Sequence, residues 1–299
     1  MSHVTTEIAS QPECWSRALE SKPEGLPEPG ERVAVLGCGT SLYIAQAYAS
    51  LREEAGLGET DAFAASAFPE TRRYDRVLAI TRSGTTTEVL TALARTRART
   101  GARTGARAAT TAITGDLATP VATAADTVVD LSFADEKSVV QTRFATTALA
   151  LLRHHLGLAP AELPAQARTA VLDELPEAAL AAEQFTFLGT GWTVGLAHEA
   201  ALKLREASGS WTESYPAMEY RHGPISISAP GRVVWFLGAP PAGLPEQVRA
   251  TGAAVVTSDL DPQAELVRAQ RLAVALAERR GLDPDQPRNL TRSIILDQP

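Results

Sequence analysis

The sequence predicts an α/β protein built from two doubly wound parallel-sheet halves in tandem, flavodoxin-like or Rossmann-like, each an α/β/α three-layer. Three observations predict it. From residue 32 onward, short apolar runs alternate with helical periodicities, the pattern of parallel strands joined by crossover helices. The segment VAVLGCGTSLYIAQA at 33–47 returns in outline as FTFLGTGWTVGLAHE at 185–199: an apolar strand, Leu-Gly-x-Gly, then a helix. Between the two copies lies LGLAPAELP, whose glycine and prolines mark a boundary. The expected organisation is an N-terminal helix and hinge over 1–29, a first half over 30–160 and a second over 161–299.

Each element follows from its local pattern. A helix is expected over 5–21, followed by the hinge KPEGLPEPGE. The first half then reads as strand 32–36, helix 42–54, strand 76–80, helix 86–99, strand 107–113, an edge strand at 126–131 and a long helix over 139–155. The second half reads as helix 168–182, strand 185–188, a helix entered through the Gly189-Thr190-Gly191 turn, strands 233–237 and 253–257, and a last helix over 263–280. It has fewer strand candidates, as a trimmed version of the same unit would.

Composition narrows the function. With 299 residues and 44% hydrophobic content, the chain can bury a full core. Its 28 basic residues are scattered among 35 acidic ones, for a formal net charge of −7, so no basic stripe tracks a nucleic-acid backbone and no nucleic acid is expected as a partner. An anionic ligand must instead be held locally. Cys14 and Cys38 make no disulfide framework, and no apolar run approaches the roughly 20 residues that span a bilayer. The N-terminus lacks the basic and apolar regions of a signal peptide. No membrane association is expected, and the expected location is cytoplasmic.

Two segments sit where open α/β sheets bind ligands, beyond the carboxyl ends of strands and at helix N-termini. Gly37-Cys38-Gly39-Thr40-Ser41 follows the first strand, and Thr81-Arg82-Ser83-Gly84-Thr85-Thr86 follows the second. Neither is a Walker A loop, and the first lacks the third glycine of a dinucleotide fingerprint. Hydroxyls at the start of a helix often serve only as N-caps. Thr81, Ser83, Thr85, Thr86 and Thr87 exceed what capping needs, and with loop amides around Gly39 and Thr40 and the Arg82 cation they predict a pocket for a phosphate monoester.

The segment LGTGWTVGLAHEAALKLREASGSWTESYPAMEYRHGP carries the reactive groups. Val194, Ala197, Ala200, Ala201, Leu204 and Ala207 make one apolar stripe, which predicts a buried helix. Glu199, Lys203 and Glu206, at i, i+4 and i+7, lie near one another along it. A solvated charge ladder is the plain alternative. The buried setting and the nearby His222-Gly223-Pro224 turn favour chemistry.

GCGTS at 37–41, TRSGTTTE at 81–88, ALKLRE with EYRHGP, and the tail DPDQPRNLTRSI at 283–294 resemble the sugar isomerase (SIS) domain family. The likeness covers about residues 30–299 and is nearest to the isomerase half of glucosamine-fructose-6-phosphate aminotransferase. The resemblance implies that Ser41, Thr81, Ser83 and Thr86 bind a sugar phosphate, that Glu206 is the base moving a proton between C1 and C2, and that His222 assists ring opening across a homodimer. It places Lys203 close to the reacting carbons, and Glu199 is expected to position Lys203. Two departures stand out. The sequence shows no N-terminal cysteine nucleophile of a glutamine-hydrolysing domain, and the family's Schiff-base lysine is replaced by Arg292. A guanidinium, with a pKa above ~12, is no amine nucleophile; it donates hydrogen bonds and stabilises negative charge. The loop 136–144, EKSVVQTRF, also departs from the aminotransferase pattern, which makes Gln141 a candidate for sugar specificity.

What remains is carbon-acid chemistry on a hexosamine 6-phosphate, with no metal and no cofactor. His222 opens the ring, Glu206 removes the C2 proton, and Arg292 or Lys203 stabilises the enolate oxygen. Return of the proton to C1 is isomerisation, and loss of ammonia after isomerisation is deamination. Expulsion of the C3 oxygen is elimination, the outcome favoured once the Schiff-base lysine is lost. A non-catalytic sugar-phosphate sensor is the competing class, but it has no need of Glu206 and His222 together.

Overall fold

The computed structural model describes residues 2–69, 71–99 and 107–296. The chain begins with α1 (His3–Ala9) and α2 (Gln11–Glu20), where a single helix was expected. Ser10 closes α1 with its own N–H, and Pro12, which has no N–H to give, is tolerated only in the first turn of a new helix.

The first sheet is fully parallel, in the order β2-β1-β3-β4-β5, and each strand feeds the next through a helix or loop. Its elements are β1 (Val33–Gly37), α3 (Thr40–Glu54), β2 (Thr60–Ala64), β3 (Arg76–Thr81), α4 (Thr87–Ala98), β4 (Ala109–Thr114), α5 (Val121–Ala124), β5 (Thr127–Asp130) and α6 (Arg143–His155). Successive side chains on a strand point to opposite faces. Ala34, Leu36, Val77, Ala79 and Ala112 form one core with Val89, Ala92 and Leu93 of α4, while the alternate residues Val35, Leu78, Ile80 and Ile113 are fully buried on the other face. There α3 lies against β1 and β2 and packs on α6. The 126–131 strand is at the sheet edge, as expected.

The second sheet repeats the plan with one strand fewer, in the parallel order β7-β6-β8-β9. It comprises α7 (Leu163–Leu172), α8 (Glu177–Ala181), β6 (Gln184–Gly189), α9 (Thr193–Ser208), β7 (Trp211–Pro216), β8 (Arg232–Leu237), α10 (Leu244–Ala250), β9 (Ala254–Val256) and α11 (Pro262–Arg279). Leu188, Val234 and Phe236 pack with Leu244 and Val248 of α10. On the opposite face Trp235 donates its indole N–H to Glu265 of α11 at 2.7 Å. The helix expected over 168–182 is instead the pair α7 and α8, with Pro176 standing at the break.

The chain forms two compact units, one holding residues up to 13, 137–142 and 160–290, the other 14–136, 143–159 and the residues from 291 on. Helix α6 starts four residues later than expected for this reason. The N–H groups of Lys137, Ser138 and Val139 donate to Glu7 and Asp285 within the first of these units instead of entering a helix. Among the described residues no helix is long and apolar enough to cross a membrane.

Candidate active site

The two glycine turns are built alike. A Cβ on Gly37 would lie 2.4 Å from the Ser41 carbonyl carbon, and one on Gly189 would lie 2.3 Å from the Thr193 carbonyl oxygen. Each helix therefore starts directly over the end of its strand, and only glycine permits the approach. In the first turn Gly39 is the N-cap of α3, and Thr40 and Ser41 are buried behind it.

Strand β3, the neighbour of β1, delivers the second loop to the same carboxyl edge. Thr81, Arg82 and Ser83 are buried. The Gly84 N–H donates to Thr81 Oγ1 and the Thr85 N–H to Ser83 Oγ, both at 3.3 Å, which sets the hydroxyls around the loop. Thr86 occupies the N-cap of α4 but makes no side-chain capping bond; its hydroxyl lies 3.5 Å from that of Ser83. The simple capping explanation for these hydroxyls therefore fails at Thr86.

The C-terminal tail lies along this loop. Arg82 Nη2 donates to the Arg292 carbonyl at 2.9 Å, so its cation is engaged by the tail. Thr85 donates to the Ser293 hydroxyl at 2.9 Å, and the Thr87 N–H reaches the Ile294 carbonyl at 3.2 Å. The Arg292 guanidinium pairs with Asp135 at 2.6 Å and donates to the Glu136 carbonyl. Ser293 is not among the residues expected from sequence; the signal for it is a hydroxyl in a tail whose neighbour, Arg292, already points to the site, meeting a loop rich in hydroxyls.

In the other unit, α9 carries the three charged residues on one buried line. Glu199 and Lys203 are 0% and 1% exposed, with Lys203 Nζ 3.6 Å from Glu199 Oε1. Lys203 also donates to the Glu206 carboxylate. Glu206 alone of the three reaches solvent, at 18% side-chain exposure. It opens into a cavity of about 790 Å³ whose walls are the end of α9 and the stretch 280–290. A solvated ladder would expose all three side chains, so the plain alternative fails here.

His222 ends a short 3-10 turn, Glu219–His222, and is exposed. The turn is pinned through the two residues that precede the imidazole. The buried Tyr220 hydroxyl bonds Ser228 at 2.6 Å, and Arg221 donates to Gln247 and to the Ala242 carbonyl at 2.8 and 2.7 Å. Gly223 follows at φ 133°, a backbone conformation closed to L side chains. Gln141 belongs to this unit's 137–142 segment, and its Oε1 is buried without a hydrogen-bond partner among the described residues. Thus Gly39, Thr40, Ser41, Thr81, Arg82, Ser83, Thr86 and Arg292 gather in one unit, and Gln141, Glu199, Lys203, Glu206 and His222 belong to the other.

No family model matches the chain. The glutamine–fructose-6-phosphate aminotransferase of a Synechocystis species is 28% identical over 89% of this chain and 52% of its own length. The chain aligns with between about a quarter and about half of the length of such curated relatives. Among solved structures, a glucosamine-6-phosphate deaminase from Thermotoga maritima superposes with a TM-score of 0.81 at 23% identity, covering 99% of this chain and all of the other. The C-terminal domain of the Francisella tularensis glucosamine-fructose-6-phosphate aminotransferase gives 0.80 at 20% identity, covering 96% and 99% of the two chains. These structures share the fold of this one.

Proposed function

We propose that this chain, 28% identical over 89% of its length to such an aminotransferase, is a two-halved sugar isomerase (SIS) domain protein and an enzyme of hexosamine 6-phosphates that enolises the open-chain sugar. The observation that carries this reading is Glu206: a carboxylate bonded to the buried Lys203 and opening on a cavity large enough for a sugar. The hydroxyl loop at 81–86 with Ser41 takes the phosphate. His222, exposed on its pinned turn, serves the sugar of a second copy in a homodimer.

In the proposed reaction, ring opening exposes the C1 aldehyde and acidifies the C2 hydrogen. Glu206 removes that proton, and the electron pair moves into the C1–C2 enolate, whose oxygen Lys203 stabilises while Glu199 holds the ammonium in place. Arg292 is tied to Asp135 and Glu136 and brings no amine to the sugar. The enolate therefore collapses by breaking the C3–O bond. Hydroxide leaves, takes up the proton as water, and a 2,3-unsaturated aldehyde 6-phosphate remains.

The test is incubation of the protein with glucosamine 6-phosphate and with N-acetylglucosamine 6-phosphate in deuterated water, followed by mass spectrometry and ammonia assay. Unsaturated product loses one water; a ketose or ammonia would assign the enolate to isomerisation or deamination instead. Glu206→Gln is expected to lower turnover by at least about a thousandfold while sugar binding persists, the signature of a lost transition-state interaction. Absence of deuterium at C2 and of any product with both sugars would sink the enolising reading.

A further inference from the structure

Helix α1 takes no part in the reaction proposed above, yet it carries Glu7, which is 4% exposed and turned toward another segment of its unit. The Glu7 carboxylate accepts the Lys137 N–H at 2.6 Å, the Ser138 N–H at 3.3 Å and the Ser138 hydroxyl. At the other end of the helix, the His3 and Val4 N–H groups each donate to the Asp285 carboxylate at 2.7 Å. The Val139 N–H then reaches the Asp285 carbonyl at 3.3 Å. One short helix thus clips together two loops, 137–142 and 283–290.

Both loops matter to the sugar. The first carries Gln141, whose buried Oε1 meets no donor among the described residues, and an unsatisfied buried acceptor is unfavourable until a ligand donor arrives. The second walls the cavity into which Glu206 opens. We propose that Glu7 is a positioning residue for substrate: by gathering the 137–138 backbone it fixes Gln141 and holds Val139 on Asp285, so that the cavity wall and the Gln141 amide are preset for the sugar's hydroxyl or amino groups. A carboxylate suits the task because an ionised acceptor binds amides about twice as strongly as a neutral one, and its two oxygens engage two successive residues. The proposal rests on the hexosamine 6-phosphate reading.

The experiment compares wild type, Glu7→Gln, Gln141→Ala and the double variant in steady-state kinetics with the sugar that wild type turns over. Inhibition by inorganic phosphate and amide exchange at 137–142 and 283–290 are measured alongside. Glu7→Gln is expected to raise KM about tenfold, the cost of one weakened charge-assisted contact, with kcat within about twofold and phosphate inhibition unchanged. Exchange rises in both loops, and the double variant raises KM by less than the product of the two single effects. An unchanged KM in Glu7→Gln overturns the proposal while leaving the proposed function intact. So does a parallel loss of kcat, phosphate inhibition and global exchange protection, which would make Glu7 a support of the fold alone. A wild type that binds and turns over no hexosamine 6-phosphate defeats the functional reading and this proposal with it.

Discussion

Ser83 and Thr86 show what a hydroxyl does when it is not a cap. Thr86 stands at the N-cap of α4 without a side-chain capping bond, and Ser83 Oγ has long contacts only, 3.3 Å from the Thr85 N–H and 3.5 Å from the Thr86 hydroxyl. Their hydroxyl contacts with each other and, from Thr86, with Ser293 are long, 3.4–3.5 Å, and in the proposed site each O–H turns instead to the phosphate. A hydrogen bond to a charged group is worth about 1.5–3 kcal/mol, so Ser83→Ala should weaken binding of inorganic phosphate by about tenfold or more. Isothermal calorimetry checks this, and unchanged affinity would remove Ser83 from the pocket. The residue types of the proposed site can be named from sequence because the expected chemistry calls for them: hydroxyls for phosphate, a carboxylate for a carbon acid. Their engagement was not. Nothing in the spacing of Arg82 or Arg292 foretold that one would be engaged by the tail backbone and the other by Asp135, since those contacts join positions about 210 and 157 residues apart.

At the scale of elements, legibility followed burial. Strands β1, β3, β4, β6 and β8 read directly from sequence because they are nearly continuous buried runs. The edge strands β2 and β7 were missed; TDAFA and WTESYP are only half-buried and carry neither clean alternation nor an apolar run. Helix α10 was hidden by its brevity and by the prolines before it. The β4–β5 edge also has its own electrostatic lock. Asp126 takes both Arg107 amino groups at 2.6 Å and the Thr110 N–H and hydroxyl at 2.9 Å. Hydrogen bonds from Arg107 hold its carboxyl well below the usual carboxylate range, against the opposing effect of burial. A depressed folded-state pKa contributes stability above the unfolded value near 4, and that stability is lost as pH falls further toward the folded pKa. Asp126→Asn should therefore lower the melting temperature at pH 7, and the gap from wild type should close as the pH drops below about 4. A gap that stays constant across that range would show that the Arg107 contact contributes nothing through charge.

For the whole molecule, the net charge of −7 and the local nature of the proposed phosphate pocket pull in opposite directions on a dianionic sugar phosphate. The loop at 81–86 offers hydroxyls and amides, and its one cation, Arg82, is buried and bonded to the Arg292 carbonyl. Attraction is therefore short-ranged and little screened, whereas repulsion by the acidic surface acts at a distance. The Debye length falls from about 30 Å at 0.01 M ionic strength to about 8 Å at 0.15 M, so added salt removes the repulsion before it touches the direct contacts. A site built on a basic cleft behaves the other way and loses affinity steeply as salt rises. The affinity of this protein for a hexosamine 6-phosphate, measured calorimetrically from low to physiological ionic strength with a weakly binding salt, is accordingly expected to hold steady or tighten. A tenfold or greater weakening over that interval would mean that long-range attraction holds the anion, which neither the charge distribution nor the hydroxyl loop supplies.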